Sequence, residues 1–157
     1  TRLVYNQDSY RKAKYPNTSY TFLGFTFRPR RMSSKRTGKR LTRFLPGVSP
    51  GAKKRLRQTL KEKLHRRNIT QAPDKLAQSV NEVMRGWLNY FNPFSSVADL
   101  ADIKLYVKLR FSNWLQRKYR MSRRHAQRWL ARVLRRDPMF LALPRSHNLY
   151  GWVGGAV

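Results

Sequence analysis

The hydrophobic pattern changes its period near Ser49. Before it, "TRLVY" (1–5) and "SYTFLGFTF" (19–27) are short runs of β-branched and aromatic residues, which predict strands. Pro16, Asn17 and Ser19 supply turn chemistry between them. "KRLTRFLPGV" (39–48) has the composition of a partner for the second strand. The intervening "RPRRMSSKRTGKR" (28–40) holds no acid and no apolar residue except Met32. Such a stretch cannot bury itself and is expected to be a solvated hairpin loop.

After Ser49 the spacing turns helical. Ser49 is placed as an N-cap with Pro50 at the first helical position, and Ala52, Leu56, Leu60 and Leu64 form the apolar stripe. A second helix is expected from Pro73–Asp74. Leu76, Val80, Val83, Met84, Trp87, Tyr90 and Phe91 recur along it at steps of three and four. On that spacing Trp87 is read as core in preference to a base-stacking platform, and Arg85 points away from the apolar side. Gly86 interrupts this helix, and a close helix–helix approach is the expected reason. "NPFSS" breaks the pattern, and Ser96 with Asp99 forms a capping box for a third helix. Its buried side is Ile103, Tyr106, Val107, Arg110, Phe111, Trp114 and Leu115. A fourth, shorter helix carries Ala126, Trp129, Leu130, Val133 and Leu134, and Asp137-Pro138 stops it. The remainder, 141–157, is glycine-rich and expected to be loosely ordered or a single arm.

Charge then narrows the function. Thirty-five Lys plus Arg face seven Asp plus Glu, a formal net charge of +28. Such a chain concentrates polyanions around it, so nucleic acid is the leading partner, ahead of an anionic membrane surface or a ribosome-like scaffold role. The basic residues occupy the loop and every helix, where a membrane-lying helix would set them opposite one continuous apolar face. No run is long enough to span a bilayer, and no signal peptide opens the chain. The expected compartment is a bacterial cytoplasm or an organellar matrix. Absence of cysteine rules out disulfides, thiolate metal sites and a cysteine nucleophile.

Catalytic chemistry is poorly supplied. Asp99 and Asp102 lie three apart and could be imagined around a metal, but acids in a helix's first turn are the simpler reading. His65, His125 and His147 stand apart from acids, and "GWVGGA" lacks the lysine and spacing of a phosphate loop. No metal site, cofactor or assembled active site is expected.

Four blocks taken in order carry a family resemblance: "TSYTFLGFTFRPR" (18–30), "SP" (49–50), "MRGWLNYF" (84–91) and "WLQRKYR" (114–120). Together they resemble the C-terminal part of group II intron reverse transcriptases. "FLGF" corresponds to the end of the palm, and the thumb or maturase-specific domain comes after it. The resemblance implies a mainly α fold: a thumb-like bundle of three to four helices over 49–140, preceded by a small antiparallel β segment over 1–48, with 141–157 as a tail. It implies group II intron RNA as partner, with a template–primer duplex and the missing N-terminal reverse transcriptase portion as further ones. The family's Tyr-Ala-Asp-Asp signature is not in the sequence, so this chain alone is not expected to polymerise DNA. A start at Thr1 suggests a fragment or a split gene product, and one piece of a split RNA-directed DNA polymerase is the alternative function. A generic basic scaffold is a third.

Phosphate neutralisation is assigned to the most basic positions. These are Arg28, Arg30, Arg31, Lys35, Arg36, Lys39 and Arg40 from the loop, and Lys53, Lys54, Arg57 and Lys61 from the first helix. Arg85, Arg117, Lys118, Arg124 and Arg128 complete the set.

Overall fold

A two-residue turn decides the first third of the chain. Leu23 and Gly24 both have positive φ, +48° and +82°, the sign pattern of a type I′ hairpin turn. "SYTFLGFTF" is therefore not one strand but two: β1 (Tyr20–Phe22) folds back antiparallel onto β2 (Phe25–Ser33), pairing Tyr20 with Phe27 and Phe22 with Phe25. The sequence hid this because leucine rarely occupies the left-handed region. β2 continues through Arg28–Ser33 and pairs with β3 (Arg40–Leu45), Ser33 opposite Arg40. Of the expected 28–40 loop, 28–33 and Arg40 are therefore strand, because a basic stretch can still form a ladder when its partner strand lies alongside. Residues 3–5, the described part of the strand expected over 1–5, form none, although their β-propensity predicts one. Tyr5 N–H donates to Asn17 O at 2.8 Å, and it is Ser9 that meets the outer edge of β3, its N–H donating to Thr42 O at 3.0 Å. Propensity without a ladder partner does not make a strand.

The structure, a computed structural model, describes residues 3–33 and 37–141, with the side chain of Val97 left out. The expected tail therefore lies outside the described residues from position 142 on, while Leu141 is fully buried. Two compact units divide the chain. Among the described residues, one gathers those of Thr1–Lys53 and Phe91–Leu100, the other those of Lys54–Tyr90 and Ala101–Arg145.

In the first unit the hairpin sheet, ordered β1-β2-β3, is tied to the segment after β3 by a Phe25–Val48 bridge and by Ser49 N–H donating to Gly24 O at 2.9 Å. Phe25 packs against Phe91 (ring centroids 5.0 Å) and Phe94 (5.2 Å). Gly24 lies so close to Phe91 that an added Cβ would stand 3.0 Å from its Cζ. "FLGF" and "NYF", more than sixty positions apart, are thus in direct contact.

Four helices come next: α1 (Pro50–Lys63), α2 (Pro73–Phe91), α3 (Val97–Tyr119) and α4 (Arg123–Arg136). Their ends obey local chemistry. Ser49 Oγ accepts from Ala52 N–H at 3.1 Å to start α1, and Asn68 Nδ2 donates to Lys63 O at 2.7 Å where it stops. Ser96 Oγ accepts from Asp99 N–H, one half of the expected capping box, and the Asp99 carboxylate answers through the Ser96 hydroxyl, which donates to it. Arg120, with φ +48°, ends α3 in a left-handed residue, and Met121 N–H reaches back to Gln116 O. Ser122 caps α4.

The second unit is built on one apolar seam. Leu56, Leu60 and Leu64 from α1, and Leu76, Val80 and Met84 from α2, meet Ile103, Val107, Phe111, Trp114 and Leu115 from α3 and Ala126 and Leu130 from α4. Trp114 is 1% exposed, and Trp87 and Trp129 pack half-buried against this core, as their spacing predicts. The seam also takes in a contact with no sequence signal: Asn81 Nδ2 donates to Phe140 O at 3.1 Å, pinning the segment after α4 to α2.

Gly86 departs from expectation. It is exposed, and a Cβ there would meet nothing within 4 Å, so no close helix approach explains it. Gly86→Ala should raise stability by about 1 kcal/mol in chemical denaturation. Gly24→Ala should lower it by about 1–2 kcal/mol, since both its positive φ and the Phe91 ring oppose a methyl group. Equal Tm values for the two variants would contradict both assignments.

Candidate nucleic-acid interface

Among the described residues only three ion pairs form, so the chain's acids do little to neutralise its cations. What separates the basic residues is how far each is committed to the fold. Lys35 and Arg36 lie outside the described residues.

In the first unit Arg28 and Arg31 are exposed on β2, Lys39 is exposed in the connection, and Arg40 opens β3, also exposed. Arg28 and Arg31 line an open cleft of about 750 Å³ with Lys12, Ser9, Thr18 and Thr42. Arg30 is different. Its Nε donates to Leu45 O and its Nη2 to Thr26 O, both at 3.3 Å, and a Cβ at Gly47 would collide with the guanidinium. Burial, with Arg28 beside it, pulls the Arg30 pKa below its ordinary value, while Asp99 opposes the shift; the group still remains protonated at neutral pH. Arg30 therefore braces the end of the sheet. Lys53 is likewise engaged, its Nζ 2.6 Å from the Asp99 carboxylate. Arg43, exposed on β3 opposite Arg30, is a cation outside the set expected from sequence.

In the second unit Lys54 and Lys61 are exposed on α1, and so is Arg55, also outside the expected set. Arg57 is half-buried: it pairs with Asp102, lies 5.6 Å from the Tyr106 ring centre, and has its backbone carbonyl bonded by Tyr106 Oη. Arg85 is exposed on α2, and Arg117 on α3. Lys118 instead donates to Ile69 O at 2.9 Å and sits over the Trp114 ring, which makes it a strut between segments of the unit. Arg124 and Arg128 are exposed on α4, together with Arg123, Arg132, Arg135 and Arg136. Pairing and burial of this kind leave no trace in a charge count.

The acids that could have surrounded a metal are accounted for by these contacts. Asp99 is held by Ser96 and Lys53, and Asp102 by Arg57. Among the described residues no group of three or more His, Asp or Glu gathers to hold a metal. His65 and His125 are exposed, His65 accepting from Arg67 N–H and His125 at the cap of α4; His147 lies outside the described residues. Asp8, the one acid in the first 61 positions, accepts from Tyr10 N–H and Arg11 N–H, which hold its pKa below the usual carboxylate value. No helix among the described residues is long and apolar enough to cross a membrane.

This arrangement can neutralise phosphates from exposed Arg and Lys while the apolar seam of the helices stays inside. Releasing Arg57 from its pair should strengthen that capacity. Asp102→Asn is expected to tighten binding to structured RNA and to steepen the log–log salt dependence by about one unit. An unchanged slope in a salt titration would show that Arg57 serves the fold alone.

No curated protein matches the chain. A family model does: the one described as group II intron, maturase-specific domain, aligns with residues 53–133, just over half of the sequence, running from the start of α1 into α4. The match takes in α2, α3 and most of α1 and α4, and the chain belongs to the group II intron maturase-specific domain family.

Proposed function

We propose that this chain is an RNA-binding maturase module that associates with group II intron RNA and helps it reach its splicing-competent fold. In this reading residues 49–140 act as the thumb and maturase-specific domain, and 1–48 as the end of a reverse transcriptase palm. With the N-terminal portion supplied, the same module grips a template–primer duplex. The observation that carries the proposal is the family match over helices whose exposed sides bear unpaired Lys and Arg.

The physical logic favours folded RNA. Phosphate contacts from several helix faces fix register and orientation on a shaped backbone, and sequence enters through shape and few base contacts. Trp87, Trp114 and Trp129 are engaged in the core, which leaves them poor stacking platforms for single strands. The catalytic carboxylates of polymerisation come from elsewhere in this reading, since Asp99 and Asp102 are ion-paired.

The test is competition binding of the full chain to structured intron RNA and to random RNA of equal length across a salt series. The module should prefer the intron at every salt concentration, and affinity should fall steeply, roughly four to five decades for a fourfold salt increase if about ten phosphates are contacted. Equal affinity for the two RNAs throughout would reject the maturase role.

A further inference from the structure

α4 carries charge that its own folding does not require. Six arginines, Arg123, Arg124, Arg128, Arg132, Arg135 and Arg136, are exposed on fourteen residues that include no acid. Arg123 and Arg124 occupy the first turn, where the helix dipole disfavours cations. Arg124–Arg128, Arg128–Arg132 and Arg132–Arg136 are like-charge pairs four apart, which repel on a helix surface. None of the six forms an ion pair among the described residues. Glutamine at these positions would keep the helix propensity without the repulsion. The charge therefore answers to something outside the chain.

Its arrangement says what. With 100° between successive residues, Arg124, Arg128, Arg132 and Arg135 fall within a sector about 80° wide, opposite buried Ala126 and Leu130, and spread along about 17 Å of axis. Exposed Ala131 borders this sector, so nothing bulky on that edge holds a ligand away. The sector has no aromatic residue on which a base could stack, which argues against single strands. The apolar face of α4 is occupied by the core, which argues against a membrane surface. All six cations are arginine and none is lysine, although α1 mixes the two. A guanidinium offers a planar fork that binds phosphate oxygens two at a time, which an ammonium cannot do.

We infer that Arg124, Arg128, Arg132 and Arg135 form a rail that seats the phosphate backbone of an A-form RNA duplex through bidentate guanidinium contacts. This rests on the RNA-binding reading above and narrows it to one helix face, one ligand geometry and one residue type.

The experiment uses the full chain, a perfectly paired RNA hairpin, an unstructured RNA of the same length, and the structured intron RNA. R124Q/R128Q/R132Q/R135Q should bind the hairpin on the order of 100-fold more weakly at 0.1 M salt and lose about three units of salt slope. Its own Tm without RNA should rise by about 3 °C as repulsion is relieved. R124K/R128K/R132K/R135K should keep the slope yet lose roughly tenfold in hairpin affinity, because charge survives and the fork does not. Binding to the unstructured RNA should fall far less in both variants. An unchanged hairpin slope in the glutamine variant overturns the rail, as does a Tm that falls or full retention of affinity in the lysine variant. If the chain still prefers intron RNA while the hairpin slope is unchanged, the rail fails and the maturase reading stands. A lost slope in a chain with no preference for intron RNA keeps the rail and rejects the maturase reading.

Discussion

Everything in this molecule depends on apolar packing strong enough to hold a chain that repels itself. At +28, with only three ion pairs among the described residues, electrostatics contributes little cohesion and much repulsion. The counterweight in the second unit is the seam from Leu60 and Val80 through Val107, Phe111 and Trp114 to Leu130. Each large side chain buried there is worth about 1.5–3 kcal/mol, and the seam is contributed by four separate helices. Most of the cations can then stay outside, because few are needed as partners within the fold.

A minority of the cations serve the fold. Arg30 binds carbonyls at the start of β2 and the end of β3, Lys118 ties Ile69 to Trp114, and Lys53 and Arg57 hold the two acids of α3's first turns. These groups give up hydration for fixed partners, so moving them to a phosphate would cost what they now gain. Exposed Arg31, Lys54, Lys61, Arg85 and the α4 arginines have no such bond to break. Charge alone treats both sets alike. Engagement separates them, and it leaves the charge of the second set uncommitted to the fold.

The contact between Gly24 and Phe91 shows why short blocks that look unremarkable singly are informative together. The hairpin turn requires positive φ at Gly24, and the end of α2 places an aromatic ring where only glycine leaves room. Phe25 then closes on both Phe91 and Phe94. One tertiary contact constrains two distant sequence blocks at once.

The sequence by itself determined the helices and their buried sides. Periodicity at Leu56–Leu64, Leu76–Met84 and Ile103–Leu115 comes from the geometry of one helix, and the caps at Ser49 and Ser96 are made by neighbours a few positions away. It also pointed to a polyanionic partner, since net charge is a sum over residues and needs no coordinates. Only the tertiary structure decided the course of β2, the emptiness around Gly86, and which arginines are bound. A strand exists where another strand lies beside it, a glycine is needed where something approaches it, and a cation is engaged where an acceptor meets it. Each is a relation between segments far apart in the chain, which local pattern does not encode.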